Sequence, residues 1–402
     1  MTAGVFQRPD LLRFVAARVT NGAAFQMTSV ALGWLVYART GSAVSLGLVG
    51  LCQFLPTLPL FTLTGHAADH HDRRWVIVAS FVAQAAGSLA LFGFSRAQGM
   101  GMGWLYAILL VLGAARAFSP PAQQALLATL VPREELSRAV AFSSSTGQLA
   151  VIVGPAIGGL AYALVGPVTF LVVAALHLAA AAVLLPLKSS RPEPSADRSG
   201  LWTRAFAGLA YLRSNRLLLG AISLDLFAVL FGAVTSLLPI FAHDILKVGP
   251  IGLGVLQSGP AVGAVVVGAL LTRLQLRRRA GATMLWSVAG YGLATILFAL
   301  STNFVLSMLA MVAIGGFDMV SVVVRQTLVQ VATPDAMRGR VGAVSTMFVS
   351  GSNRLGDFES GMLASLVGAA PAAVIGGVGT ILVVGAVAWL TPELRKADRL
   401  DG

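Results

Sequence analysis

Twelve apolar stretches, separated by gaps in which positive charge gathers only at every second one, constrain this chain more than any other feature. A helix needs about 20 apolar residues to cross the hydrocarbon core of a bilayer. Candidate spans fall near residues 11–38, 44–65, 75–95, 103–131, 140–165, 167–187, 217–242, 250–272, 281–300, 303–331, 341–367 and 370–390. Of the 28 Lys and Arg residues, Arg39, Arg96 and Lys247 lie in the intervening gaps, and Arg18, Arg116, Arg325 and Arg354 lie inside spans. The other 21 occupy alternate gaps, counting Arg13 at the entry of the first span. Retained cytoplasmic loops carry the basic excess, so the pattern predicts an all-α, multi-pass membrane protein with both termini cytoplasmic.

Composition agrees with lipid as the main solvent. Only 11% of the 402 residues are charged and 56% are hydrophobic, against about 25% charged in a typical soluble domain. A net charge of +12 raises nucleic-acid binding, but that function needs a basic face or stripe. Here the excess is dealt out in small groups among loops, which excludes nucleic acid as the expected partner and favours anionic lipid headgroups. Cys52 is the only cysteine, so disulfides and cysteine metal clusters within one chain are ruled out. Arg8 and Arg13 precede an apolar stretch with no short hydrophobic core and small-residue cleavage site, which reads as a retained first span.

The one long polar stretch, 188–216, opens with Pro and Ser and carries six basic residues. Trp202, Phe206, Leu209 and Leu212 recur in it at helical spacing, which predicts an amphipathic helix on the cytoplasmic surface after a linker. It divides the chain into 1–187 and 217–402. These halves are related. A shift of 202 residues aligns thirteen identities across 113–166, among them Gly113/Gly315, Ser119/Ser321, Pro132/Pro334, Arg138/Arg340, Gly154/Gly356, Gly159/Gly361 and Gly166/Gly368. Parallel repeats of six spans are a transporter arrangement, with a site between two bundles.

Between spans two and three the chain reads Gly65-His-Ala-Ala-Asp69-His70-His71-Asp72-Arg73-Arg74. This resembles the loop signature of the major facilitator superfamily, in which a Gly, an acid four residues on and a basic pair recur. His70 stands where the family carries a base and Asp72 where it carries Gly. Asp69 and Arg73 are spaced to pair on a helical end, and the resemblance implies that the acid approaches the start of span eleven. The counterpart in the second half, Gly268 to Thr272 followed by Arg277, Arg278 and Arg279, has no acid. His66, His70 and His71 beside Asp69 and Asp72 raise a metal site, but a solvated turn cannot aim enough ligands at one point, and no metal is expected. Span five holds Gly154-Pro155-Ala-Ile-Gly158-Gly159, similar to the Gly-Pro signature of the antiporter branch. Small residues there permit close helix approach, so plain packing competes with a gating role.

Further segments, Asp225 to Gly232, Gly316 to Ser321, Arg338 to Val341 and Asn353 to Gly361, resemble the enterobactin-exporter-like efflux subgroup. The resemblance implies a twelve-helix fold of two pseudo-symmetric six-helix bundles in a bacterial inner membrane, working as a monomer.

Eight charges fall inside spans: Asp225, Asp318, Asp357 and Glu359 with Arg18, Arg116, Arg325 and Arg354. Each costs at least about 2.5–3.5 kcal/mol at a lone helix centre, so they must pair or face water. Spans three, six, nine and twelve carry none, as expected if those four face lipid. Arg116 and Asp318 lie roughly 20 Å in from the outer ends of their spans and are equivalent under the 202-residue shift. A cross-cleft pair or a shared substrate contact follows. Arg18 and Arg325 lie nearer the cytoplasmic ends and are open to snorkelling. Arg354 and Asp357, three apart, can neutralise each other. Asp225 or Asp318 is the expected carrier of a coupling proton, since low dielectric disfavours the charged form. Many drug–proton antiporters of the superfamily carry an acid in span one; here Arg18, Asn21 and Gln26 occupy it, and Arg116 is placed to receive an anionic or phenolate-bearing substrate.

The expectation is a secondary transporter exporting small amphiphiles, drugs or siderophore-like metabolites, in exchange for protons. An importer or uniporter of an anionic metabolite, or a non-transporting sensor, is the alternative. No serine–histidine pair or inward acid–base set suggests an enzyme, His177 reads as structural, and no phosphate-cradling Gly-Lys-Ser/Thr loop suggests ATP as driver. No cofactor is expected.

Overall fold

The computed structural model describes residues 8–97, 99–187, 209–274 and 279–396, all of them helical or in the turns between helices. The order is α1 (Pro9–Thr40), α2 (Ala43–Phe54), α3 (Thr57–His70), α4 (Arg73–Arg96), α5 (Met102–Ala117), α6 (Ser119–Leu130), α7 (Leu136–Val165) and α8 (Thr169–Leu184). It continues with α9 (Arg216–Gly232), α10 (Gly249–Leu274), α11 (Ala280–Leu300), α12 (Phe304–Val331), α13 (Asp335–Val367), α14 (Ala369–Leu390) and α15 (Pro392–Lys396). Among the described residues, nine helical runs are long and apolar enough to cross a membrane. One of them, Arg133–Leu184, joins α7 and α8 across a tight turn, so these runs account for ten of the expected spans. The remaining two, α1 and α13, have the length but are too polar on average to qualify on composition. The chain is thus an all-α, polytopic membrane protein.

Several expected spans are broken, and prolines explain where. Span two is α2 and α3, parted before Pro56. Span four is α5 and α6, with Pro120 and Pro121 in the first turn of α6, where a missing N–H costs nothing. Span seven stops at Gly232 and resumes as short turns around Pro239. Elsewhere side chains start the helices: Asp72 accepts from the Arg74 N–H at 2.9 Å, and Asn303 from the Leu306 N–H at 3.1 Å. The surface helix expected in the linker is described only over 209–214; Trp202 and Phe206 lie outside the described residues.

The chain clusters into two compact units. One comprises Met1–Thr40, Leu48–Asp197 and Gly249–Ser258; the other comprises Gly41–Gly47, Arg198–Val248 and Gly259–Gly402. The boundaries follow the expected halves except that each unit takes one end of a helix from the other half. In the first unit α1 packs on α7 and α8, and α4 packs on α8 and α5. In the second α9 packs on α13 and α14, and α11 packs on α14 and α12. Under the 202-residue repeat these are the same four adjacencies, so the repeat is structural as well as sequential.

Each unit has its own apolar core. Leu11, Phe14, Ile77, Phe81, Leu126 and Leu184 build the first; Leu224, Met284, Val288, Val324, Leu328 and Val387 build the second. The repeat-related turn glycines Gly166 and Gly368 both adopt positive φ, +55° and +91°, a region that side chains disfavour. Leu164 and Leu366, two residues before those turns, are 74% and 77% exposed. Acyl chains tolerate such apolar exposure and water does not.

Candidate functional site

In the second unit, α9 supplies Asp225 and α12 supplies Asp318 and Arg325. Seven residues are two turns, so Asp318 and Arg325 share one face of α12. Arg325 Nη1 lies 3.2 Å from Asp225 Oδ2, with side chains 6% and 4% exposed. Of the two orientations open to Arg325 in the sequence, the inward one is taken. Asp225 thereby finds its countercharge within its own unit, 100 residues away in sequence. A small cavity, with room for the centre of about one water, is lined by Asp225, Tyr291, Asp318 and Ser321. Ser321 Oγ faces Asp225 but closes no hydrogen bond of good geometry. Tyr291 donates its hydroxyl to the Gly232 carbonyl at 2.9 Å, satisfying an acceptor left open where α9 ends.

Two carboxylates, Asp225 and Asp318, thus open on one cavity, and Asp225 carries the ion pair with Arg325. Isolated charge is expensive in such surroundings, and the Arg325 pair offsets that cost for Asp225. Farther along, Arg354 Nη1 meets Asp357 Oδ2 at 3.4 Å on α13, the expected i,i+3 pair. Glu359, partly buried, lies on the same helix.

The first unit holds the other polar residues expected in the pathway. Arg18 Nη1 donates to Ser143 Oγ on α7 at 2.7 Å, a partner within its own unit. Arg116, at the end of α5, stacks on Phe25 with its guanidinium carbon 3.2 Å from the ring centroid. His177 Nδ1 lies 2.8 Å from Asn21 Oδ1, and the imidazole is 3% exposed. It stands close enough to Arg116 to feel that charge. Asn21 and Phe25 are four residues apart on α1, so one face of α1 receives α5 and α8 together. Gln26 is partly buried, with its Cβ against Gly154. Sequence reasoning took His177 as structural and did not foresee its contact with Asn21; the available signal was one imidazole in an otherwise apolar α8.

The loop motif is built differently from expectation. Asp69 is exposed at the end of α3, and among the described residues no ion pair joins it to Arg73. The reason is local: α3 ends at His70 and His71 is extended, so the helical spacing needed for an i,i+4 pair is broken. Arg73 donates instead to the carbonyls of Ala68 and Ala125, at 3.3 and 3.2 Å. Arg74 donates to the carbonyls of Leu185 and Leu187 at 3.0 and 2.7 Å, at the end of α8, where basic groups are favoured. Gly65 lies inside α3. His66 and His70 stack with ring centroids 3.9 Å apart, and no group of three or more metal-ligating side chains occurs among the described residues.

The Gly-Pro motif of α7 is a seam of close approach. A methyl added at Gly154 would meet Gln26 and Ala23, one at Gly158 would meet Met27, and one at Gly159 would meet Pro250 and Gly254 of α10. Its repeat mates behave alike: Gly356 packs on Val229 and Leu230 of α9, and Gly361 on Ala43 and Gly47 of α2.

Fold and seam together define a class, the major facilitator transporters. A crystallised nucleoside transporter, NupG, superimposes with a TM-score of 0.75 at 16% identity, covering 95% of this chain and 98% of that one. A bacterial homologue of the lysosomal transporter Spinster superimposes with a TM-score of 0.70 at 14% identity, over 98% and 97% of the two chains. The profile of the transmembrane secretion effector family matches residues 10–402, and the chain belongs to that family. It is 29% identical to the multidrug efflux pump Tap of Mycolicibacterium fortuitum, over 98% of each chain. It is also 27% identical to the enterobactin exporter EntS of Escherichia coli, over 98% of this chain and 94% of that one. The protein is a membrane-embedded secondary transporter of small molecules and not an enzyme.

Proposed function

We propose that this chain expels small amphiphilic molecules across a bacterial inner membrane in exchange for protons, by alternating access of two six-helix bundles with both termini cytoplasmic. The carrying observation is the buried Asp225–Arg325 pair, with a second carboxylate, Asp318, on the same small cavity as Asp225. Protonation of Asp225 releases Arg325 from its ion pair, and that change of partner is the step coupled to substrate access. Asp357 and Arg354 form a second pair on the same path, with Glu359 nearby. Arg18, Asn21, Gln26 and Arg116 line the first unit's share of the pathway. The seam of Gly154, Pro155, Gly158 and Gly159, and the loop of Gly65, Asp69, Arg73 and Arg74, gate it. Export as the direction draws on the likeness to an efflux pump and an exporter.

Inverted vesicles supplied with a panel of fluorescent amphiphiles of either charge test the reading. Accumulation should require an inside-acid gradient and should stop when the gradient is collapsed. The Asp225→Asn, Asp318→Asn double variant should lose gradient-driven accumulation while keeping energy-independent counterflow. Gradient-driven accumulation by that double variant would end the assignment of the proton to these acids.

A further inference from the structure

The cluster just described has a second side. Beyond Arg325, a cleft of about 450 Å³ opens between α12 and α13, within the second unit. That volume falls in the range of sites for small organic ligands, about 300–1,000 Å³. On α12 it is lined by Arg325, Gln326 and Gln330; on α13 by Arg338, Ser345 and Thr346. These positions recur at three- and four-residue intervals, so each helix turns one continuous face to the cleft. Val322, Val329 and Val349 complete the wall and give it an apolar surface.

Charge and donors point one way. Two guanidiniums line the cleft and no carboxylate does, among the described lining residues. Asp225 lies behind Arg325, with Oδ2 3.2 Å from Nη1. Arg325 Nε is buried and closes no hydrogen bond, and a buried donor left without an acceptor is costly. Arg338, at the exposed end, donates Nε to the Gln330 carbonyl at 3.1 Å, which fixes its stem against the opposite helix. A planar guanidinium pairs with a carboxylate or phosphate through two parallel N–H donors, a geometry a lysine does not offer.

We propose that this cleft receives the acidic group of an anionic amphiphile, a carboxylate, sulfonate, phosphate or phenolate on an apolar body, with Arg325 as its anchor and the valines covering the body. The assignment deepens the transport reading and rests on it in naming that anion as cargo. It also gives Arg325 two jobs. The same side chain holds Asp225 on one face and the cargo on the other, so loading the cleft and titrating the acids act on one guanidinium.

The test is equilibrium binding to the full-length protein in phosphatidylcholine nanodiscs, read by fluorescence anisotropy, with dansylglycine as the acidic probe and dansylamide as its neutral match. The acid should bind at least about tenfold tighter than the amide, a difference of about 1.4 kcal/mol. Arg325→Gln and Arg338→Gln should each erase most of that preference. Because Arg325→Gln strands Asp225 and threatens folding, Thr346→Glu serves as the second variant: it places a negative charge in the cleft without touching the buried cluster. It should weaken the acid about tenfold and leave the amide unchanged. Equal affinity of the two probes in the wild type, or a preference that survives Thr346→Glu and Arg338→Gln, overturns the proposal. Repeating the titration with phosphatidylglycerol in the discs separates the sources of the anion, since competition by that lipid would assign the cleft to a headgroup and overturn the cargo assignment. Counterflow in proteoliposomes is scored apart. Intact counterflow with equal probe affinities removes the anion site alone, and absent counterflow with a retained preference removes the transport reading alone.

Discussion

Gly159 and Gly254 face each other so closely that a methyl group on either would stand 3.1 Å from the Cα of the other. Gly361 repeats the arrangement with Gly47, at 3.2 Å. No side chain fits at either contact without moving a helix backbone. Gly159→Leu should therefore lower thermal stability by about 1–3 kcal/mol, the usual range for overpacking, and reduce transport more steeply than stability. Gly385, with nothing within 4 Å of an added methyl, is the control: Gly385→Ala should leave both unchanged. Thermal unfolding and dye counterflow on the same preparations check the pair.

Breaking the buried ion pair should be more damaging than removing it. Asp225→Asn leaves Arg325 charged in a dry site, at a cost of about 3–5 kcal/mol. The double variant Asp225→Asn, Arg325→Gln should recover much of that stability and none of the proton coupling. Chemical unfolding of the single and double variants gives the first result; vesicle accumulation gives the second.

His177 and Asn21 should be energetically coupled although 156 residues apart. A double-mutant cycle with His177→Ala and Asn21→Ala should return a coupling of about 0.5–3 kcal/mol, as for groups in direct contact. A value near zero would mean that the 2.8 Å contact contributes nothing.

Arg74 ties the start of α4 to the end of α8 through two carbonyls. Arg74→Ala should cost about 1–2 kcal/mol, toward the low end for charge-assisted bonds because the side chain is partly exposed. Asp69→Asn should cost far less, since its carboxylate is exposed at the helix end. The ranking of the two midpoints in thermal unfolding decides.

How legible these features were in the sequence depends on how local their causes are. The Arg354–Asp357 pair could be read directly, because three residues on one helix fix the distance. The Asp69–Arg73 pair was misread for the same reason in reverse: the spacing presumed an unbroken helix, and His71 breaks it. The repeat was legible through Gly113, Gly154, Gly159 and their mates because backbone contact forbids substitution at such seams. Asp225 and Arg325 could not be joined by inspection. The 202-residue shift pairs Arg116 with Asp318 and says nothing of contacts inside one half. The Asn21 partner of His177 could not be foreseen, because it lies on the far side of the sequence and apolar periodicity is blind to which face a lone imidazole takes.

The α7 seam is completed by residues 249–258, which are translated only after the polar segment at 188–216 has been made. The α13 seam is completed by residues 41–47, made long before it. Neither half of the gene encodes a finished folding unit. A chain cut in the polar segment should yield two fragments that are unstable when expressed singly and rescue one another when co-expressed, and the ribosome must deliver more than half of the polypeptide before the first seam can close.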